Sequence, residues 1–358
     1  MKIPLCFCAT VVAATAAEPA PGTVFYQNAY PEASAVAPVG TPPRWLAVAD
    51  NELPRVVLFP MAPQSSKVHQ PALSVAVSPD YPVDDLEAVT VFSWDPNGDG
   101  KPEAVYHVFA GSGSRSKNGK DRPQRDALFA LEIDVKAAAE GKATAFPATV
   151  EINATLRSQM RSLGSENAAT PWGPVLRDSL WAAGQKPDAQ NAALAGGTAA
   201  GFNIEGLTVS KDGQSLLLGL RSPLVGGKAL LVPLTNPVAA LGLGESAPQP
   251  AALATPVLLD LGGRGIRSIE WDAARSVYLI SAGACDDSSN FQFFTWGGDA
   301  AEAPKPVNTP SAREAAKYSP EGLTPVAGRA SAAAVNDGDA EARYHAGFWI
   351  DSGIPAKP

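Results

Sequence analysis

The sequence predicts an all-β fold, a β-propeller of about six four-stranded antiparallel blades. Three observations predict it. Short apolar runs of strand length alternate with Gly, Pro, Asn and Asp along most of the chain. A short glutamate-bearing pattern recurs at spacings of one or two blades. Two of the recurrences are followed by strand, tight turn, strand, loop and strand, the meander of one blade.

The apolar runs come first. They cover residues 23–28, 45–49, 56–59, 104–110, 127–134, 215–221, 228–234, 277–282, 291–296 and 346–351. Helical periodicity is weak, with one short turn of helix expected over 312–317. The stretch 140–200 is polar and Ala-rich and reads as an insertion or lid beside one blade.

The repeat appears as Leu86-Glu87-Ala88-Val89, Ile204-Glu205-Gly206-Leu207, Ile269-Glu270-Trp271 and Pro320-Glu321-Gly322-Leu323. The glutamates are 118, 65 and 51 residues apart, so the first gap fits two units and the others one each. Blades therefore start near residues 43, 87, 150, 205, 270 and 321. The last is short, and the strand at 23–28 is expected to complete it and close the ring. Seven blades require the 140–200 stretch to hold a whole extra one.

Composition agrees with this class. A chain of 358 residues can bury one large core. Its 32 Gly and 33 Pro suit a fold with many tight turns. The balance of 28 basic to 36 acidic residues argues against nucleic acid as a partner. A small-molecule ligand and a monomeric state are expected instead. Lys2, the apolar stretch 3–14 and the small residues Ala14-Thr15-Ala16-Ala17 read as a signal peptide over 1–17. The mature part, 18–358, is then one propeller domain with no membrane span, periplasmic or secreted. Its single thiol, Cys285, cannot form an internal disulfide and reads as a small buried filler.

In a propeller the first strand of each blade lines the axis. Glu87, Glu205, Glu270 and Glu321 are thus expected to converge as a ring of carboxylates. At 4 Å and an effective dielectric near 20, each ionised pair repels by ~4 kcal/mol. Such a ring either holds a metal or ligand, with Ca²⁺ suited by its oxygen preference, or pairs with Arg221, Arg264 and Arg267. The three histidines, His69, His107 and His345, are isolated, which disfavours zinc.

A second calcium candidate is the stretch 95–103. Asp95, Asn97 and Asp99 place oxygens at positions 1, 3 and 5, Gly100 allows the sharp turn, and Glu103 stands at position 9. The competing reading is an Asn-Gly/Asp-Gly hairpin turn with solvated charges. Arg115, Lys117, Lys120, Arg122 and Arg125 cluster between two strands. Arg115 and Lys117, with Arg221 and Arg267, are candidates for an anion site; otherwise they form a solvated loop and ties to the carboxylate ring. No G-x-S-x-G, H-E-x-x-H, P-loop or Rossmann glycine pattern is present.

Several segments together carry a resemblance: Ser114-Arg115-Ser116-Lys117-Asn118-Gly119-Lys120-Asp121-Arg122-Pro123, Phe202-Asn203-Ile204-Glu205-Gly206-Leu207, Gly219-Leu220-Arg221-Ser222-Pro223-Leu224, Lys228-Ala229-Leu230-Leu231-Val232-Pro233-Leu234 and Leu261-Gly262-Gly263-Arg264-Gly265-Ile266-Arg267-Ser268-Ile269-Glu270. They resemble a bacterial family catalogued only as a domain of unknown function, over roughly residues 45–350. That family is similar to the esterase-like and phytase-like propellers. The resemblance implies a propeller and an exported location, and no activity. Its members often carry His near the start of the first segment, where this chain has Gly113.

Two functions follow. One is a calcium-stabilised binding propeller whose channel mouth takes a small anionic or sugar-like ligand. The other is a metal-dependent hydrolase of phytase-like or esterase-like type, in which the glutamates hold metal and Arg115, Lys117, Arg221 and Arg267 hold substrate.

Overall fold

The structure, a computed structural model, describes residues 24–27, 33–40, 45–50, 55–60, 72–74, 83–116, 119–140, 142, 150–180, 198–244, 247–286, 288, 290–325, 331–336 and 346–354. These form a mostly-β protein of five antiparallel sheets. β1 (Val24–Gln27) belongs to the last of them. The first sheet is the meander β2 (Ala33–Val39), β3 (Trp45–Asp50), β4 (Arg55–Pro60) and β5 (Ala72–Ser74). The second has three strands, β6 (Leu86–Trp94), β7 (Ala104–Gly111) and β8 (Leu128–Leu131). The third is β9 (Asn203–Val209), β10 (Leu216–Ser222), β11 (Ala229–Leu234) and β12 (Val257–Leu259). The fourth is β13 (Gly265–Asp272), β14 (Val277–Gly283), β15 (Gln292–Trp296) and β16 (Lys305–Pro306). The fifth joins β17 (Pro320–Pro325), β18 (Ser331–Asn336) and β19 (Ala346–Asp351) to β1, which pairs with β19 from the opposite end of the chain.

Sheets pack through their first strands. β2 lies beside β6, β6 beside β9, β9 beside β13, β13 beside β17, and β17 beside β2. Apolar side chains fill the spaces between successive sheets: Val39, Leu86 and Phe109 between the first two, Leu217, Ile266 and Ile269 between the third and fourth, Leu279 and Leu323 between the fourth and fifth. The third and fourth sheets approach so closely that a β-carbon on Gly206 would meet the Ile266 side chain at 2.7 Å. Gly206→Ala is expected to cost about 1–3 kcal/mol by overpacking this seam, read as a lowered midpoint in urea.

Two expectations are corrected. The described residues form five sheets rather than six, and the blade expected near residue 150 is replaced by helices. After α1 (Val135–Ala139), α2 (Leu156–Glu166) and α3 (Trp172–Ser179) pack as a pair. Leu156 and Met160, four residues apart on α2, join Trp172 and Leu176 of α3 in one core with Val108, Leu128, Phe202 and Leu216. Among the described residues, the 118-residue gap between Glu87 and Glu205 holds one sheet and a helical pair. Outside β8, Asn153 makes a single bridge to Leu128 where a fourth strand would lie. The first sheet also begins earlier than expected. Its first strand is Ala33–Val39, in which three Ala, one Ser and one Pro dilute the β-branched signal of two Val.

The signal peptide at 1–17, Lys117, His69 and His345 lie outside the described residues. His107 is buried, with Nε2 2.8 Å from the Pro38 carbonyl of the first sheet. Among the described residues no helix is long and apolar enough to cross a membrane.

Candidate functional site

One local irregularity recurs in every first strand. Pairing slips by one residue between Ala33 and Ala35, Leu86 and Ala88, Ile204 and Gly206, Ile266 and Ser268, and Pro320 and Gly322. Each slip leaves one extra residue that has no partner across the ladder, a β-bulge that re-aims its side chain. The extra residues are Ser34, Glu87, Glu205, Arg267 and Glu321. All five are buried, and each is followed by a small residue: Ala35, Ala88, Gly206, Ser268 or Gly322.

This corrects the expected ring. Glu87, Glu205 and Glu321 share the repeated position, but the fourth sheet supplies Arg267 there, not Glu270. In sequence the repeat aligns on the identity of the glutamate, whereas the bulge sets which residue is extra. Spacings of 53, 118, 62 and 54 residues separate the five positions, and the small residue after each was the sequence signal that could have found them. Three residues further on, the strands place Ala37, Thr90, Thr208, Glu270 and Thr324, a second and entirely buried tier.

In the first tier charges of both signs are paired. Arg267 reaches both neighbouring sheets: Nη1 donates to Glu205 Oε2 at 3.0 Å and also to Glu321 Oε1. Its Nη2 donates to the Ala284 carbonyl at 3.1 Å, and its guanidinium lies 5.2 Å from the centre of the Phe291 ring. Arg221, from the second strand of the third sheet, donates to Glu205 Oε1 at 2.9 Å and to the Asp286 carbonyl at 2.9 Å. Burial by itself would lower the Arg221 pKa, and the Glu205 carboxylate more than offsets it. Asn203 Nδ2 donates to the same Glu205 oxygen at 2.9 Å. Gly265 makes room for this: a β-carbon there would lie 1.8 Å from the Arg221 carbonyl oxygen.

Glu87 is different. Its carboxyl accepts from the Ser34 hydroxyl, and its charged neighbours include Asp85, Glu205 and Glu321. Burial, followed by those three carboxylates, pushes its pKa well above the ordinary value. Asp85, two residues before it, has a left-handed backbone at φ 59°, a strained conformation for this residue type. Its carboxylate pairs with Arg125 Nη1 at 2.9 Å and accepts from Ser112 and Ser114. Ser112 also ties the sheets together, since its carbonyl accepts from Ile204 N at 2.8 Å.

In the second tier, Glu270 Oε2 accepts from Thr90 and Thr208 of two other sheets, each at 3.1 Å. Burial pushes the Glu270 pKa up to about 8, against the lowering effect of those hydroxyls.

The other candidates fall elsewhere. Arg115 is buried with Asp121 and Arg157 as its charged neighbours, and its Nη1 lies 3.4 Å from the Gly119 carbonyl. The expected anion site of Arg115, Arg221 and Arg267 is therefore split: Arg221 and Arg267 are engaged by Glu205 and Glu321. Gly113 has φ 64°, and a β-carbon on it would meet the Phe202 ring at 2.7 Å, so a side chain there requires Phe202 to move. Arg264 binds Asn290 and the Leu261 carbonyl rather than the ring. Cys285 is buried, its Sγ 3.0 Å from the Arg221 carbonyl, and burial raises its pKa.

Asp95, Asn97, Asp99 and Glu103 lie together on the exposed hairpin between β6 and β7. Asp95 accepts from the backbone N–H of Gly98 and Gly100 at 2.8 Å each. Asn97 Oδ1 accepts from Asp99 N at 3.0 Å, and Asn97 Nδ2 donates to Glu103 at 2.7 Å. Gly98 and Gly100 have left-handed φ of 69° and 80°, which lets the loop wrap on its own carboxylates. Among the described residues no three His, Cys, Asp or Glu side chains converge closely enough to hold a metal ion by themselves.

Comparison with known proteins adds a family model and a structural likeness. Residues 193–327 match the model of a protein family of unknown function, DUF3616. That segment spans the third and fourth sheets and the first strand of the fifth, and carries Glu205, Arg221, Arg267, Glu270 and Glu321. No curated protein matches the chain. Among solved structures, the chain is similar to the β-propeller domain of Cps50 (Swd1) from Myceliophteria thermophila, at 10% identity, over 91% of this chain and 98% of that one, with a TM-score of 0.39.

Proposed function

We propose that this chain is an exported β-propeller of five blades that binds a small, sugar-like ligand at the end of its axis where the bulges gather. The order of first-strand neighbours, running from β2 through β6, β9, β13 and β17 back to β2, supports the ring. The observation that carries the ligand reading is the repeated bulge. It brings Ser34, Glu87, Glu205, Arg267 and Glu321 from five sheets to one end of the first strands. Carboxylates and guanidiniums interleaved in this way donate to and accept from hydroxyl groups at once, as polyol recognition requires. An anionic ligand is disfavoured, because both arginines are already held by carboxylates.

A thermal-shift series with neutral and charged monosaccharides tests this. A ligand bound only to the native state raises the midpoint, by about 2.7 kcal/mol of stability at a hundredfold excess over Kd. A rise that disappears in Glu205→Gln supports the site; a rise unaffected by that change places the ligand elsewhere.

Calcium belongs to the same proposal, at the hairpin of Asp95, Asn97, Asp99 and Glu103. Its oxygens at positions 1, 3, 5 and 9 and its two left-handed glycines fit a hard cation with oxygen ligands. Millimolar Ca²⁺ is expected to raise the thermal midpoint of the wild type and leave Asp95→Asn/Asp99→Asn unmoved. Equal shifts in both proteins would exclude this loop.

One observation favours a hydrolytic reading as the second. Glu87 is pushed toward its protonated form, while Glu205 beside it is held by two guanidiniums, so proton donor and fixed carboxylate are neighbours. Turnover of an ester panel that vanishes with chelator and returns with Ca²⁺ selects the enzyme; binding without turnover selects the binding protein.

A further inference from the structure

The charges of the first tier do not balance evenly around the ring. Glu205 has Arg221 and Arg267, Glu321 has Arg267, and Asp85 has Arg125. Among the described residues no guanidinium or ammonium is paired with Glu87, whose hydrogen-bond partner is the neutral Ser34 hydroxyl. A second group points the same way. Asn203 is 5% exposed, and its Nδ2 is committed to Glu205 Oε1. Its Oδ1 is buried and accepts no hydrogen bond. Turning the amide over would bring two oxygens together at Glu205, so the orientation is dictated by the network. A buried acceptor without a donor is costly to leave unsatisfied. The site thus offers a carboxyl that makes no ion pair among the described residues, with the Arg221 guanidinium only in electrostatic range, and a carbonyl oxygen without a donor, both near Glu205.

We propose that the ligand of this site presents a primary ammonium group, which donates to Glu87 and to Asn203 Oδ1. The proposal rests on the ligand reading above and names the charge of the contacting group. An ammonium carries one positive charge and three N–H donors at hydrogen-bond distances. An amino sugar combines that group with the hydroxyls that the rest of the tier can bind.

The test compares glucosamine, glucose, glucuronate and calcium chloride by titration calorimetry on the full chain. Glucosamine is expected to bind about tenfold more tightly than glucose, the gain of one charge-assisted hydrogen bond. Glu87→Gln should bring the two sugars to equal affinity. Asn203→Ala, which removes the orphan oxygen, should weaken binding of glucosamine more than binding of glucose. Should Glu87→Gln fail to fold, the ranking of the four probes on the wild type still decides the matter. Equal or tighter binding of glucose or glucuronate overturns the ammonium assignment and leaves the ligand reading standing. Calcium that competes with glucosamine shows a metal site and also overturns it. No binding by any of the sugars overturns both readings.

Discussion

Replacing Glu270 with Gln is expected to make the protein more stable at neutral and alkaline pH, and less sensitive to pH. Glu270 sits on the second tier, buried, with Thr90 and Thr208 on one of its oxygens. Its pKa is pushed from an ordinary 4.5 up to about 8, first by burial. The folded protein therefore holds a proton that the unfolded chain releases. For such a group the favourable contribution is fully present below pH 4.5 and is lost as pH rises through about 8. At 1.36 kcal/mol per pH unit, the loss across that window comes to about 4–5 kcal/mol. Gln keeps the shape and the acceptor oxygen for both threonines and cannot ionise. Unfolding in urea at pH 5, 7 and 9 measures the effect. The variant should match the wild type near pH 5 and exceed it by several kcal/mol near pH 9. Glu87 and Asp85, also raised by burial, contribute to the same decline, so the variant's curve should flatten by about one proton rather than become level. Parallel curves for the two proteins would show that Glu270 ionises normally in the fold.

Arg267→Met should be among the most damaging single changes in the molecule. The side chain is 4% exposed and joins Glu205 of the third sheet to Glu321 of the fifth. Removing one partner of a buried ion pair leaves the other charge buried without compensation, and this typically costs about 3–5 kcal/mol. Here two carboxylates lose the same partner. Lys in this place should recover only part of the loss. A single ammonium cannot reproduce the planar fork that reaches the carboxylates and the Ala284 carbonyl together. The predicted order of urea midpoints is wild type, Arg267→Lys, Arg267→Met. A Met variant within 1 kcal/mol of wild type would mean that solvent reaches this tier.

These two residues also show where sequence reading succeeded and where it failed. Strands with turn residues at their ends were legible at β3, β4, β7, β8, β10, β11, β14 and β15, because alternation of apolar runs with Gly, Asn and Asp is a local property, whereas the short β12 was not. The pairing of the N-terminal strand with the last sheet was legible too, since the final unit was one strand short. The Glu87–Glu205–Glu321 repeat was legible as identical residues in similar surroundings. The strand Ala33–Val39 was not, because Ala and Pro carry little strand signal. Leu156 and Met160 were hidden in a polar, Ala-rich stretch where two helical turns of apolar residues are too few to stand out.

The sequence alone determined that the chain is built from antiparallel meanders and that acidic residues recur at the start of several first strands. Only the tertiary structure decided that the described sheets number five and that Arg267, not Glu270, completes the recurrent position. The reason is that a bulge is a mismatch between two strands. One strand's sequence does not encode how many residues its partner sets against it, and a single extra residue changes which side chain reaches the shared end.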